Sequence, residues 1–530
     1  MALKLREIAL HLDEEEISLP NKIASILDFD VQKISTWEIV RKGIDARRKP
    51  DVLRVYTVQF YCDEELELEL LSRNRHISTL AKVEDKTSYQ ILTFEKKTKV
   101  LVVGMGPAGL FNALLLAEAG AQVCLIERGR PVLERLQDVK SFWAGRSPLK
   151  AESNIQFGEG GAGTFSDGKL TSRLNHPGMN YILQRLVEFG APEEILWQAK
   201  PHIGSDRLRS VLIHLRKYLL SMGVEIRFCS RLTDFQVTND RISAGIINDQ
   251  DVIHCDQLIL APGHSARDTY QLLADKKVML EQKSFAIGLR VEHPTELINQ
   301  IQYGHCGHPQ LSAADYRLAW NDPESGRGIY SFCMCPGGLV VNASSEPGGI
   351  VVNGMSDFSR SAENSNSALV VAVSPDDFGS DDVLAGIHFQ RTWEQQAFQA
   401  GEAGWRAPAQ PLLEFLNKSG GTLRSSCQPQ VVHADLSTCL PTFVTAALRK
   451  ALPYFNQRMR GFIGPEATLI GVETRTSAPL RIVRDKYGES ISHKGLFPVG
   501  EGAGYAGGIM SAALDGMKTA TSIINISNGF

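Results

Sequence analysis

A glycine turn set between two short apolar strands constrains this chain more than any other feature. Val100–Gly129 reads VLVVGMGPAGLFNALLLAEAGAQVCLIERG. A strand at 100–103 runs into Gly104, and Gly104, Gly106 and Gly109 stand at the positions of a G-x-G-x-x-G turn. The first glycine permits a sharp turn, the second a close approach of backbone to pyrophosphate, and the third tight packing of the next helix on the sheet. That helix, expected over 108–119, aims its positive end at the phosphates. A second strand, 122–126, ends on Glu127, placed to accept a hydrogen bond from a ribose hydroxyl. Alone, G-x-G-x-x-G is weak and fits a tight turn with no ligand. Strand, turn, helix, strand and acid in this order predict a dinucleotide site. An acid at the strand end suits a free 2′-hydroxyl, so FAD or NAD is expected rather than NADP.

At 530 residues the chain exceeds what one core supports, and about two or three domains are expected. Its 43% apolar and 22% charged residues are those of a globular protein. A formal charge of −4 gives no general pull toward nucleic acid or an acidic membrane. The opening MALKLREIALHLDEEE has no apolar core of a signal peptide. The uncharged run 100–117 is long enough to catch a hydropathy scan, but its Gly-Met-Gly-Pro-Ala-Gly centre belongs to the nucleotide turn, so no membrane span is expected. Nine cysteines without disulfide-like spacing fit a reducing compartment, and the cytoplasm is the expected location.

Residues 1–95 read as strand 2–10, helix 21–27, strands 34–44 and 52–62, acidic helix 63–73 and strand 89–94. The order βαββαβ predicts a separate ferredoxin-like α+β domain. Its middle hairpin carries Arg41, Lys42, Arg47, Arg48 and Lys49. That charge fits a grip on RNA or an acidic partner, or a solvated tip; no stacking aromatics accompany it, so nucleic acid is not the expected partner. Beyond Gly129, NIQFGEGGAGTFSDGK (154–169) packs four glycines into 158–163. Such a run suits either a flexible loop or one whose amides lie against a ligand, with Thr164, Ser166 and Lys169 adding polar contacts. The strand 257–261 stops at Ala261-Pro262-Gly263, another close approach of backbone. From Lys283 short strands broken by Gly, Pro, Asn and Ser predict an antiparallel sheet, then helices, as an inserted α+β substrate domain over 283–493. The nucleotide fold, begun at 96–282, then resumes at 494–530. There LFPVGEGAGYAGGIMSAALDG (496–516) runs from a strand through Gly500 and Glu501 into a helix from about Gly508. Glu501 is placed to accept from ribityl hydroxyls, and the helix start to stabilise a reduced isoalloxazine.

The segments VVGMGPAG…CLIERG and LFPVGEGAGYAGGIMSAALDG resemble the two ends of a glutathione-reductase-type FAD domain, a Rossmann-like α/β fold. More closely, GGAGTFSDGKL (160–170), FAIGLRVEHP (285–294), AADYRL (313–318), FCMCPGG (332–338) and ETRTSAPLRI (473–482) resemble a family of uncharacterised bacterial and plastid FAD-dependent dehydrogenases. The resemblance implies FAD contacts at Gly104, Gly106, Pro107, Ala108, Gly109, Glu127 and Arg128. It implies further contacts at Gly161, Ala162, Gly163, Thr164 and Ser166, at Ala261 and Gly263, and at Gly500, Glu501, Gly508, Ile509 and Met510. It names no substrate. Where that family's second motif usually ends in Gly-Asp, this chain has Gly500-Glu501.

Three residues are catalytic candidates. Cys333 and Cys335, two apart on a strand, would face one side and could exchange electrons with flavin or act on substrate; buried inert thiols are the plainer reading. Arg475 could clamp a substrate carboxylate, or pair across the domain junction. His305-Cys306-Gly307-His308 lacks a second ligand pair, and no metal is expected. The expected activity is hydride or electron-pair transfer at FAD from an unidentified small molecule. The alternatives are a reductase or monooxygenase fed transiently by NAD(P)H, since no second G-x-G-x-x-G follows a strand, and an RNA- or protein-binding factor with structural FAD.

Overall fold

The computed structural model describes residues 2–83, 89–172 and 174–529. Strands Thr36–Asp45, Leu53–Tyr61, Ala2–His11 and Leu80–Lys82 form, in that spatial order, a four-stranded sheet with every pair antiparallel. Along Leu53–Tyr61 every second residue is buried, so one face meets helices Leu19–Leu27 and Glu64–Arg73 around Leu3, Tyr56, Phe60, Ile23 and Leu70. The strand expected at 89–94 is not one; the last strand is Leu80–Lys82. Tyr89, Ile91 and Phe94 instead pack on the core of the nucleotide fold, and the Phe94 N–H bonds the Ala119 carbonyl. These apolar residues pack beneath a helix end and do not pair in a sheet. The basic hairpin is also engaged. Lys42 exchanges main-chain bonds with Trp197 and Ala199, its ammonium pairs with Glu16 at 2.6 Å, and Lys49 reaches the Ile301 carbonyl.

Leu496–Pro498, Gln257–Leu260, Lys99–Val103, Gln122–Ile126 and Glu225–Arg227 make a five-stranded, wholly parallel sheet. Only Lys99 of Lys99–Val103 is exposed, as a strand covered on both faces requires. Helices Pro107–Glu118 and Ile509–Ser527, from opposite ends of this fold, lie against each other. A Cβ on Gly516 would sit 2.1 Å from the Ala108 carbonyl oxygen, and Asn112 Nδ2 donates to the Gly516 carbonyl at 2.9 Å. The small-residue run of the last helix exists for this approach.

The intervening chain leaves and re-enters through Leu280–Gln282 and Leu480–Ile482, which pair with each other. Between them a seven-stranded sheet is built on Phe285–Pro294 and Asn364–Val373, antiparallel over ten residue pairs. It is antiparallel throughout except for the parallel pair Ala407–Pro411 and Val431–His433.

A buried ion network ties this sheet to the nucleotide fold. Glu394, in helix Ala385–Ala400, is 1% exposed. It takes two bonds from Arg267, at 2.7 and 2.9 Å, and two from Arg475, at 2.7 and 2.9 Å. Against its burial, Arg267 and Arg475 hold the Glu394 carboxyl far below the usual range. Its contribution to stability is therefore present above the unfolded pKa and is lost only in strong acid. Glu394→Ala would leave Arg475 in the interior without a carboxylate and Arg267 with Glu346 alone, and is expected to cost about 3–5 kcal/mol at neutral pH. Urea unfolding of the variant beside the parent measures this.

Candidate functional site

One cleft runs from the glycine turn to the edge of the seven-stranded sheet. The three glycines of the turn divide by task. A Cβ on Gly104 would lie 2.2 Å from the Ala261 carbonyl oxygen, and one on Gly109 1.9 Å from that of Gly104. Those two are demanded by packing. A Cβ on Gly106 would meet nothing within 4 Å, since Gly106 faces the cleft. It caps helix Pro107–Glu118 with no side-chain bond to the first turn, which leaves amides there for an anion.

Glu127, 5% exposed, fastens three segments together. Its carboxylate accepts from Met105 N at 2.9 Å, Gly129 N at 2.8 Å and Gly158 N at 3.0 Å. A carboxylate has about four acceptor sites, so capacity remains for a ribose hydroxyl on the cleft side. The glycine loop is held from behind by Arg135, fully buried in helix Val132–Trp143. Its guanidinium donates to the carbonyls of Asn154 and Ile155, both at 2.7 Å, of Glu159 at 2.8 Å and of Gly161 at 2.9 Å. Burial pulls its pKa down to about 10, opposed by Glu127 and Glu159, so it stays charged at neutral pH. Gly158, Gly160 and Gly161, all at positive φ, wrap the loop around it.

At the other end Gly508, at φ +83°, caps helix Ile509–Ser527 without a side-chain bond, and a Cβ there would again meet nothing within 4 Å. Glu501 lies beside it. Burial pushes the Glu501 carboxyl up to about 7, while Lys283 and the Gly508 N–H pull the other way. Facing these are Phe332, Cys333 and Glu473 from the seven-stranded sheet and Asn353 from the two-stranded sheet beside it, with Lys169 from the glycine loop. Lys169 pairs with Asp167 at 2.9 Å and bonds the Met334 carbonyl.

Most expected contact residues come together on this wall: Gly104, Gly106, Pro107 and Ala108; Glu127 and Arg128; Gly161, Ala162, Gly163 and Ser166; Ala261 and Gly263; Glu501, Gly508 and Ile509. Gly109, Thr164, Gly500 and Met510 are not among the residues lining it. Thr164 accepts from Arg135, Gly500 N donates to Asp515, and Met510 is in the hydrophobic core. Arg128 is stacked 4.2 Å over Phe157 and paired with Glu152 and Asp268. Arg475 lines the cleft but commits its fork to Glu394 and Ser345. Cys333 lines the cleft and Cys335 sits behind it, 0% exposed.

Sequence reasoning passed over Arg135 and His264. Arg135 had a signal: it occupies the apolar stripe Val132, Arg135, Val139, Phe142 of its helix, where a charge needs partners. His264 lines the cleft next to Gly263. Burial, with Arg475 and Arg267 nearby, lowers it to about 4 and keeps it neutral.

Two uncapped helix starts and two glycines whose missing Cβ atoms leave the cleft open fit an extended dinucleotide. Gly106→Ala is therefore expected to leave the melting temperature of the cofactor-free chain unchanged while weakening FAD binding at least about tenfold. Arg135→Met is expected to lower stability by about 3–5 kcal/mol as well. Flavin fluorescence titration and thermal melts separate the two. The raised Glu501 carboxyl stabilises the cofactor-free chain fully below its unfolded pKa and loses that contribution as pH rises through about 7. Glu501→Gln should melt progressively higher than the parent between about pH 5 and pH 8.

Comparison with known proteins agrees with the geometry. Residues 97–136 match a model described as an FAD binding domain. Residues 284–476 match "FAD-dependent protein, C-terminal domain-like", and 2–61 match a domain of unknown function. FAD is the cofactor these matches give the cleft. Aklavinone 12-hydroxylase DnrF of Streptomyces peucetius is 33% identical over 159 residues, 27% of this chain and 30% of that one. The glycerol-3-phosphate dehydrogenase of Bacillus halodurans complexed with FAD aligns at TM-score 0.37 and 10% identity, over 82% of this chain and 66% of that one. An uncharacterized protein of Clostridium beijerinckii is 42% identical over 530 residues, 99% of each chain. The chain belongs to the family of that Clostridium protein.

Proposed function

We propose that the chain is an FAD-dependent oxidoreductase of dehydrogenase type. Its parts would be a ferredoxin-like domain (1–95), a glutathione-reductase-type FAD domain (96–282 and 494–530) and a substrate domain (283–493). One observation carries this reading: the cleft that holds both glycine-bounded helix starts is closed on its far side by residues of the inserted sheet. Bound FAD supplies the electron-pair chemistry; the protein supplies binding, orientation and electrostatics. Gly106 and the start of helix Pro107–Glu118 bind the pyrophosphate, and Glu127 the adenosine ribose. The start of helix Ile509–Ser527 favours negative charge at its end of the cleft. Glu501, with its carboxyl near 7, is able to hold or release a proton there at neutral pH. The inserted sheet keeps water from that end and forms the floor on which a small substrate would rest.

A second reading, a reductase or monooxygenase fed by NAD(P)H, is favoured by the local likeness to a hydroxylase. A nicotinamide would then dock in the same cleft. The RNA-binding reading has less support, because the basic hairpin spends Lys42 and Lys49 on this chain's own segments. No helix among the described residues is long and apolar enough to cross a membrane, and a cytoplasmic location is part of the proposal.

Anaerobic titration with NADH and NADPH, followed by the visible flavin spectrum, tests the choice. The dehydrogenase reading expects an oxidised spectrum that persists with both and bleaches with a metabolite substrate. Bleaching by either nucleotide faster than free flavin would overturn it in favour of the second reading.

A further inference from the structure

Cys333 and Cys335 lie on strand Gly328–Cys335, whose pairing slips at this point. Phe332 opposes Ala368 and Cys335 opposes Asn366, so three steps on one strand match two on its neighbour. This is a β-bulge, and Cys333 within it adopts φ +43°. In a regular strand, residues two apart are separated by about 6.6 Å, near the upper limit of about 6.8 Å for a disulfide. The bulge breaks that extension. The Cys335 sulfur folds back to 3.4 Å from the Cys333 carbonyl oxygen, to which its S–H donates. Cys333 faces the cleft and Cys335 is sealed behind it.

The electrostatic surroundings agree. Lys169 and Arg290 are the cations beside the pair; Asp167, Glu473 and Glu501 are the anions. The neighbouring Cys335 thiol, with Lys169 and Arg290, holds the Cys333 thiol below its ordinary range against burial, whereas Cys335 is raised. Buried Cys124, Cys255, Cys427 and Cys439 are all raised, mainly by burial, as inert core thiols are.

We propose that Cys333 and Cys335 are a dithiol–disulfide couple that stores a second electron pair beside the flavin, with Cys333 as the thiol that meets the cofactor. This rests on the FAD-dependent oxidoreductase reading. In the oxidising direction the Cys333 thiolate and the Cys335 thiol form one S–S bond. Their electron pair and the Cys335 proton pass to oxidised FAD, which leaves as the anionic two-electron-reduced form. Atoms and charge balance with no further reactant, and the reverse step reopens the bond.

The test is an anaerobic dithionite titration of the FAD-loaded protein, coupled to alkylation and mass spectrometry of peptide 328–360, which holds these two cysteines and no others. The couple predicts uptake of two electron pairs per flavin. It also predicts a peptide that resists alkylation and is two hydrogens lighter when oxidised, and is doubly alkylated once reduced. Cys333→Ser and Cys335→Ser should each take up a single pair while still binding FAD; Cys306→Ser, at an exposed thiol, should behave as the parent. Uptake of one pair by the parent, or a peptide alkylated in every state, overturns the couple and leaves the flavoenzyme reading standing. A chain that takes up no FAD overturns both.

Discussion

The bonds from Arg135 to the carbonyls of the glycine loop are the constraint on which the cleft depends. A run of four glycines has no side chains with which to fix itself. It becomes a wall only because a guanidinium gathers its main-chain oxygens from behind. The loop's amides are tied as well: Gly158 N donates to Glu127 and Gly160 N to the Met105 carbonyl, which hold the same loop against the glycine turn. A buried arginine is costly in isolation, and here its fixed fork of donors is what the loop requires.

The same economy explains how a site is made from segments about 400 residues apart in sequence, at a crossing distance only small residues allow. Gly516 against Ala108 lets the last helix lie on the first, which brings both uncapped helix starts to one cleft. The inserted sheet is then locked over them by Glu394, shared between Arg267 and Arg475. Arg475 reads in sequence either as a substrate clamp, with Thr476 and Ser477 beside its fork, or as an ion pair across the domain junction. Its partner on helix Ala385–Ala400 is not visible there.

Legibility in the sequence followed the range of the interactions. The glycine turn, Glu127 and the Gly508 helix start are written in local geometry, so their positions could be read along the chain. The strand at 89–94 could not, because a short apolar run records burial without saying what covers it, and here the cover is a helix end. The slip between Phe332 and Cys335 was hidden for a related reason: a bulge is a relation between two strands. Of two cysteines that would simply share a face in a regular strand, one faces the cleft and the other is folded back against its neighbour's carbonyl. Arg135 was legible in principle as a charge within an apolar helical stripe.

The measurement that bears most directly on this account is a crystal structure of the protein grown with FAD. It should place the pyrophosphate on the amides after Gly106, the ribose on Glu127, and the isoalloxazine between Gly508 and Cys333 with the inserted sheet closed over it. An isoalloxazine turned away from the inserted sheet, or FAD bound outside this cleft, would contradict it.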